Sequence, residues 1–238
     1  MSIPTTNISS GTPSASRPPR NRLIVIVGIV LLVLILLGGV ALLGASIYFS
    51  NMILQVPDFT TPVYDTPVLA VSDTTVTLKR TGDDMHPGEF EIEWSAGQAL
   101  VGSILSSDTT SVTRKLLLKT GPLTKDTSIF WTRYVYTGEI TSSLGLTISN
   151  VQVPDPLGAM PAYYVPGKLS TWAILVHGRG ASRDEALRVF VPLAHLGLPL
   201  LSISYRNDPG APHSPDSAGH LGDSEWQDLE AAVKYALA

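Results

Sequence analysis

The sequence predicts a chain of mixed class: a membrane-spanning helix, then a β-rich region, then an α/β segment. Three observations support this prediction. An uncharged apolar run covers Leu23–Phe49, period-two alternation begins near Val68, and apolar strands alternate with amphipathic helices after Asp155. Because an apolar span, a half-buried strand and an amphipathic helix each have their own hydrophobic period, each pattern predicts its own kind of element.

Composition excludes several functional classes. The 238 residues carry a formal net charge of −4, whereas a nucleic-acid-binding protein usually presents a basic surface. The chain contains no cysteine, which rules out disulfides, thiol nucleophiles and cysteine-ligated metals. We therefore expect no nucleic-acid partner, and the lack of cysteine is compatible with an extracytoplasmic location.

The apolar run Leu23–Phe49 is long enough to cross a bilayer. It holds no charged residue, and the next one is Asp58. A spanning helix needs about 20 apolar residues, whereas the apolar core of a signal peptide has about 7 to 15. The small residues Gly44–Ser46 leave a cleaved signal peptide open as an alternative. The length of the run favours an uncleaved anchor that binds the lipid bilayer.

The flanks of this run predict its orientation. Arg17, Arg20 and Arg22 precede it, and the next basic residue is Lys79. The positive-inside rule therefore predicts a single-pass protein of the cell membrane, with a cytoplasmic N-terminus and an extracytoplasmic C-terminal region. The first 22 residues are rich in Ser, Thr and Pro, which predicts a disordered tail.

A proline-containing linker, residues 50–67, is predicted to lead into a β-rich region at 68–155. The segment Glu89–Trp94 alternates glutamates with Phe, Ile and Trp, as a strand with one solvated and one buried face does. The three glutamates also suggest a metal or substrate site, but the alternation alone accounts for them. Similar runs separated by Gly or Pro predict a small antiparallel sandwich or barrel.

A buried strand then runs directly into a glycine turn and a helix. The uncharged run Ala173–Val176 is typical of a strand covered on both faces, and His177–Gly180 follows it. Ser182–Glu185 has the sequence of a capping box, and Gly197 is expected to end the helix. A strand that leads through glycine to a helix N-terminus directs backbone N–H groups at a negative charge.

A second strand and helix repeat this order. Pro199–Tyr205 is predicted to be a strand, followed by a loop rich in Pro, Asp and His. The next helix opens at Ser224. Spacings of three and four predict that its buried face consists of Trp226, Leu229, Val233 and Leu237. Alternating strands and helices predict a parallel layer with right-handed crossovers.

Residues Met160–Ala238 resemble the N-terminal half of an α/β-hydrolase, in a membrane-anchored bacterial branch of that superfamily. Three motifs in order carry the resemblance. They are the strand that ends in His177–Gly180, the strand end Ser204–Asp208, and the segment Leu221–Trp226 that leads into a helix.

The resemblance implies both a fold and a function. The implied fold class is α/β, with the N-terminal half of an α/β-hydrolase sheet preceded by a transmembrane helix and a β-rich extracytoplasmic region. The implied function is a membrane-anchored serine hydrolase that cleaves an ester or amide through an acyl-serine, without a cofactor. The expected regions are a cytoplasmic tail (1–22), a transmembrane helix (23–49), a linker (50–67), a β-rich region (68–155) and a partial α/β-hydrolase domain (156–238).

The resemblance also implies roles for the glycine turn. The backbone N–H of Arg179 would be an oxyanion-hole donor, with Gly180 as the alternative donor, and His177 and Gly178 would be structural parts of the loop. The family's Gly-x-Ser-x-Gly elbow is absent from the sequence, so the chain is expected to be truncated before its nucleophile. Whether the chain is itself an enzyme, which substrate it takes and its oligomeric state stay open.

Parts of the sequence suggest three other functions. A non-catalytic single-pass protein whose β module binds a partner is the alternative. Gly178 and Gly180 match the first two glycines of the dinucleotide-binding motif G-x-G-x-x-G. The third position must be small, but Arg183 occupies it, which argues against a dinucleotide site. A metal site is not predicted, because no zinc or calcium spacing is formed by His213, Asp216, His220 and Asp223.

Overall fold

The computed structural model describes residues 20–56, 62–132 and 134–238. The chain divides into two compact units, Met1–Ile53 and Leu54–Ala238. Most of the predicted cytoplasmic tail and the central part of the predicted linker, residues 57–61, lie outside the described residues.

The first unit contains one long helix, α1, which spans Arg20–Leu54. Its 35 residues extend beyond the predicted span at both ends. No charged residue occurs between Arg22 and Asp58, and the mean hydropathy reaches 3.4. At 1.5 Å per residue α1 measures about 50 Å, whereas the hydrocarbon core of a bilayer is about 30 Å thick. The helix is therefore long and apolar enough to span a membrane.

The β-rich region forms a closed antiparallel barrel of six strands in the order β1-β2-β5-β4-β3-β6. Closure occurs where Thr66 of the first strand pairs with Ile129 of the last, and it removes free sheet edges. A barrel is one of the two architectures that the alternation predicts. The strands are β1 (Thr66–Val71), β2 (Thr75–Lys79), β3 (Phe90–Trp94), β4 (Gly97–Ser107), β5 (Ser111–Thr120) and β6 (Ser128–Trp131).

Arg114 lies inside this barrel and is completely buried. Its guanidinium donates to four backbone carbonyls at 2.6 to 3.0 Å: Gly102, Asp84, His86 and Gly88. The rings of Phe90 and Trp131 each lie 5.4 Å from the guanidinium carbon. The side chain thus holds the loop between β2 and β3 against β4.

The prediction that all three glutamates of Glu89–Trp94 face solvent is wrong for Glu91, which is completely buried. One Glu91 oxygen accepts from Gln98 Nε2 at 2.9 Å, and its carboxylate also accepts from the peptide N–H and the hydroxyl of Thr137. Thr137 begins a 3₁₀ helix, Gly138–Leu144, that covers this part of the barrel. The 3₁₀ helix therefore buries the Glu91 side chain, which the alternation alone predicts to be exposed to solvent.

The Glu91→Gln substitution is expected to remove a pH dependence of stability. Burial raises the pKa of Glu91 from 4.5 to about 7, and Glu93 and Asp184 add to the rise while Thr137 opposes it. A carboxyl whose folded pKa is raised stabilises the protein below pH 4.5, and this contribution, about 3 kcal/mol, is lost as the pH rises through 7. Urea unfolding of the full chain at pH 4.5 and 8 should show this loss in the wild type and not in the variant. The exposed Glu89, changed to Gln, is the matched control; a loss of equal size in Glu91→Gln would contradict the assignment.

The C-terminal part contains a mixed sheet of four strands in the order β7-β8-β10-β9. Only β9 and β10 are parallel among the described pairs of this sheet, because the other two pairs are antiparallel. Its edge strand β9 has one neighbour. The strands are β7 (Ser149–Val153), β8 (Met160–Val165), β9 (Ala173–Val176) and β10 (Leu200–Ile203).

The predicted fold class is therefore wrong. A closed antiparallel barrel and a separate mixed sheet with few helices replace the expected parallel sheet of an α/β-hydrolase. The turn at 154–159 that joins β7 to β8 is too short for a crossover, so the two strands form an antiparallel hairpin. The β8 strand then pairs antiparallel with β10, which leaves one helical crossover, between β9 and β10.

The helical region of this crossover is broken rather than continuous. A 3₁₀ helix spans Arg183–Val189, and the short helix α2 follows at Phe190–His195. Pro192 explains the break, because proline lacks an N–H and clashes inside a long helix but is tolerated in a first turn. Gly197, at a φ of 82°, follows α2 as predicted.

The last helix, α3, spans Trp226–Leu237 and buries a different face from the one predicted. Asp228, Ala231 and Ala232 are buried, whereas the four predicted residues are exposed, Trp226 by 54% and Leu237 by 82%. The sequence carries two stripes of helical spacing. The small alanines allow close packing on the sheet, and the pairing of Asp228 with Arg206 turns the second stripe inward.

Candidate functional site

A tight turn follows β9 at the carboxyl end of the parallel pair. The peptide N–H of Ala181 donates to the Gly178 carbonyl at 3.1 Å, and Gly180 has a φ of 76°. This left-handed conformation favours glycine at position 180. A Cβ added at Gly178 would meet no atom within 4 Å. The space beside that residue is therefore open to a ligand.

The buried side chain of His177 connects this turn to the next loop. Its Nδ1 lies 3.0 Å from the Gly178 carbonyl, and its Nε2 lies 2.7 Å from Asp208 Oδ2. The ring of Tyr205 stacks on the imidazole with centroids 4.3 Å apart, and its hydroxyl donates to the same Gly178 carbonyl. The imidazole thus holds the first peptide of the turn.

The charge state of His177 follows from these partners. A carbonyl accepts at Nδ1 and a carboxylate accepts at Nε2, so both nitrogens donate in the imidazolium form. Burial opposes that charge, but the hydrogen bond and the negative charge of Asp208 outweigh burial and raise the pKa of His177. The pair stabilises the fold most fully below the ordinary histidine pKa, and its contribution falls as the pH rises through the raised value.

Besides the pair of His177 and Asp208, the site contains a second buried ion pair, between Arg206 and Asp228. Arg206 Nη2 donates to Asp228 Oδ1 at 2.7 Å, and the Arg206 Nε and peptide N–H donate to the same carboxylate. The hydrogen bond to Asp228 raises the pKa of Arg206. This ion pair fixes the end of β10 to α3.

The loop before α3 is folded around the carboxylate of Glu225. The peptide N–H groups of His220 and Gly222 donate to it at 2.6 and 2.8 Å. Burial opposes its ionisation, but these backbone hydrogen bonds lower the pKa of Glu225. Asn207 fixes the same loop, because its amide contacts Ser214 and the Ala218 carbonyl. The loop therefore holds a charged carboxylate that is already hydrogen-bonded.

These elements surround a cavity of about 460 Å³. Its polar wall includes His177, Arg179, Gly180, Tyr205 and Glu225, and much of the rest is apolar. A volume of this size, an apolar wall and a few converging polar groups are typical of a small-molecule site. The apolar lining residues include Val56, Val176, Ile203, Leu221, Trp226 and Leu229.

The structure brings most of the predicted site residues together. His177, Arg179 and Gly180 line the cavity, and Gly178 is hydrogen-bonded to His177 beside it. Ser182 precedes the 3₁₀ helix, and its hydroxyl accepts from the peptide N–H of Asp184. The predicted capping box does not form at Glu185, because that carboxylate accepts from the peptide N–H of Gly178 instead.

Arg183, His220 and Asp216 have partners outside the cavity lining. The guanidinium of Arg183 stacks over the ring of Tyr163 at 4.1 Å. His220 pairs with Asp216 at 2.8 Å and with Ser224 at 3.1 Å. Across the described parts of the chain, no group of three or more acidic, histidine or cysteine side chains is arranged to hold a metal ion.

Sequence reasoning missed several residues of the site. The motif Ser204–Asp208 contains Asp208 but does not identify it as the partner of His177, and the predicted site does not include Asp228. The predicted linker contains Gln55 and Val56, yet both line the cavity. An aspartate on the apolar spacing of a helix was the available signal for Asp228, since a buried carboxylate requires a partner.

Comparison with known proteins gives limited matches. Residues 67–132, which coincide with the barrel, match a family model described as Domain of unknown function (DUF8805). Among curated proteins, none matches the sequence. A solved structure of an esterase from Pyrococcus furiosus is similar at 22% identity with a TM-score of 0.34. That match covers 43% of this chain and 39% of the esterase.

Proposed function

We propose that this chain is a membrane-anchored protein whose C-terminal cavity belongs to an ester or amide hydrolase of the serine type. The observation that carries the proposal is the turn His177–Gly180, which borders an apolar cavity and is fixed from behind by Asp208. The resemblance of the turn, of Ser204–Asp208 and of Leu221–Trp226 to α/β-hydrolase motifs supports the chemistry.

In this proposal the turn stabilises a developing oxyanion. The backbone N–H of Arg179 is the donor, Gly180 is the alternative donor, and Gly178 leaves space for a carbonyl to approach. A fixed backbone donor in an apolar site needs no reorganisation during the reaction, and such donors contribute about 10²- to 10³-fold in kcat. His177 positions the turn and does not act as a base, because both its nitrogens are engaged. The proposal requires a nucleophilic serine that these 238 residues do not carry on a Gly-x-Ser-x-Gly elbow.

The anchor in this proposal is α1. The arginines at 17, 20 and 22 support a cytoplasmic N-terminus, and the cavity would then lie on the extracytoplasmic side of the cell membrane. Its substrate would be an ester or amide of a small molecule or peptide, and no cofactor takes part.

The test is labelling of the native protein in cell membranes with a fluorophosphonate, which reacts with activated serines. We expect a labelled membrane-bound product and ester hydrolysis that copurifies with it. The Gly180→Ala variant, which forces alanine to a φ of 76°, should reduce hydrolysis at least tenfold. Gly210→Ala is the matched control, because Gly210 has a φ of 80° outside the cavity. Absence of labelling and hydrolysis, or equal effects of the two variants, would refute the proposal.

A non-catalytic role is the second candidate. The barrel alone, Thr66–Trp131, coincides with the matched family model at 67–132. That coincidence indicates that the barrel is a separate module, as a partner-binding domain would be. An unlabelled native protein whose barrel retains a bound partner would favour this function over hydrolysis.

A further inference from the structure

Three residues that follow the body of α1 in sequence, Leu54–Val56, are fixed to the rim of the cavity, and we call them the strap. The peptide N–H of Gly219 donates to the Leu54 carbonyl at 2.8 Å. Arg179 Nη2 donates to the Gln55 carbonyl at 2.9 Å. Gln55 also forms an antiparallel bridge with the residue before Gly219. The strap is thus hydrogen-bonded to two separate segments that line the cavity.

The apolar wall of the cavity exposes large side chains to water. Val176 is 49% exposed, Leu221 61% and Trp226 54%, and all three line the same cavity as Val56 of the strap. Contiguous exposed apolar surface rimmed by polar groups marks a binding site. The ligand that covers this wall must itself carry an apolar group.

The polar part of the cavity lining indicates a different chemistry. Arg179 lines the cavity, and within residues 20–56, 62–132 and 134–238 no carboxylate forms an ion pair with it. The carboxylates of Asp208 and Glu225 are already held by His177 and by backbone N–H groups. Glu225 stays negatively charged, but its oxygens are occupied by these backbone N–H groups, so the guanidinium of Arg179 is the group that complements a carbonyl or carboxylate oxygen of a ligand.

We propose that this cavity binds an amphiphile with an apolar acyl or alkyl chain and a carbonyl or carboxylate head, and that the strap forms part of the chain-binding wall. The head lies toward Arg179, and the chain lies against Val56, Leu221 and Trp226. The inference rests on the proposed function, because it names the class of substrate for that site. It also assigns a binding role to residues next to the anchor, so that the site is completed only when the strap is in place.

The experiment measures binding of sodium alkanoates of four to ten carbons to the full chain in lipid nanodiscs, followed by Trp226 fluorescence. We expect the Kd to fall about fourfold for each added methylene, the change that about 0.8 kcal/mol per buried CH₂ gives. Trp226→Phe should abolish the signal. Alcohols of equal length should bind more weakly than the acids, and Arg179→Gln should remove that difference. A Kd that does not depend on chain length would overturn the proposal.

Two variants separate the cavity wall from general surface hydrophobicity. Leu221→Asn should weaken decanoate binding about tenfold, and the fold is expected to persist because Leu221 has a φ of 54°, a conformation that asparagine tolerates. Leu196→Asn is the matched control, because Leu196 is 66% exposed and lies outside the cavity. Val56→Ser should weaken binding as Leu221→Asn does. Equal effects of Leu221→Asn and Leu196→Asn, or no effect of Val56→Ser, would contradict the assignment.

Two further measurements test where the acyl or alkyl chain of the ligand comes from and whether the protein is a hydrolase. If the bound acyl chain belongs to a bilayer lipid, nanodisc lipids with brominated acyl chains should quench Trp226 fluorescence. If the ligand enters from water, only brominated alkanoates should quench it. Chain-length-dependent binding without fluorophosphonate labelling would support the ligand and refute the hydrolase. Labelling together with hydrolysis that is indifferent to chain length would support the hydrolase and refute this ligand class.

Discussion

Replacing Arg114 with methionine is expected to lower the free energy of unfolding by about 4 kcal/mol or more. The substitution removes a completely buried guanidinium whose nitrogens satisfy the carbonyls of Gly102, Asp84, His86 and Gly88. A buried acceptor left without a partner costs about 1 to 3 kcal/mol. This cost applies to the carbonyls of Gly102 and Asp84, whose hydrogen bonds are buried, because methionine supplies no donor. The loss of contacts with the rings of Phe90 and Trp131 adds to this cost.

Urea unfolding of the full chain, followed by tryptophan fluorescence, measures this loss. Lys115→Met is the control, because Lys115 is the next residue of β5 and is exposed, and we expect its effect to stay within about 0.5 kcal/mol. Arg114→Lys should lose nearly as much as Arg114→Met, since an ammonium cannot reach carbonyls in this forked arrangement. If both Arg114 variants unfolded at the wild-type urea concentration, the carbonyl contacts would not stabilise the barrel.

Arg114 also shows which part of the barrel is encoded locally. The alternation along β5 places Arg114 on the same face as Val112 and Leu116, and that face is buried. Period-two spacing therefore gives the correct side of the strand even for a charged residue. The carbonyls that make this burial tolerable come from a loop about 30 positions earlier and from β4. Partners so distant in sequence are not visible in a local pattern.

The same limit explains the failure at Glu91. Alternation predicts its side of β3 correctly, but it does not reveal that the 3₁₀ helix Gly138–Leu144 covers that side. In the second sheet, the strand positions near Ala173–Val176 and Leu200–Ile203 were predictable from apolar runs. Their relation to β7 and β8 was not, because hairpin pairing depends on chain reversal rather than on the composition of each strand.

In the candidate site, too, local features were predictable from the sequence and contacts between distant segments were not. The turn His177–Gly180 was predictable, because glycine spacing after an apolar strand is a local signal. Its fixation depends on Tyr205 and Asp208, which belong to one segment, and on the strap, which comes from another. The strap is the least predictable, since its sequence before Pro57 continues the apolar helix and carries no polar signal apart from Gln55.

The Asp228→Asn substitution is expected to destabilise the C-terminal sheet by about 3 to 5 kcal/mol, the usual cost of removing one partner from a buried ion pair. Arg206 and Asp228 are almost inaccessible to water, with side-chain exposures of 6% and 0%. Asparagine keeps the size of the side chain, but it leaves the guanidinium without a counter-charge. Because Arg206 also lines the cavity, we expect decanoate binding to weaken in the same variant.

Unfolding of the full chain in urea measures this effect, with Glu230→Gln on the same helix as the control. Glu230 forms an exposed pair with Lys234 at 3.0 Å, and such a pair contributes about 0.3 to 0.5 kcal/mol. The double variant Arg206→Met with Asp228→Leu should recover most of the loss, since apolar replacement of a whole buried pair is often neutral or stabilising. Recovery would assign the cost to the unpaired charge. A double variant as unstable as Asp228→Asn would instead assign it to the Arg206 peptide N–H, which donates to the same carboxylate at 2.7 Å.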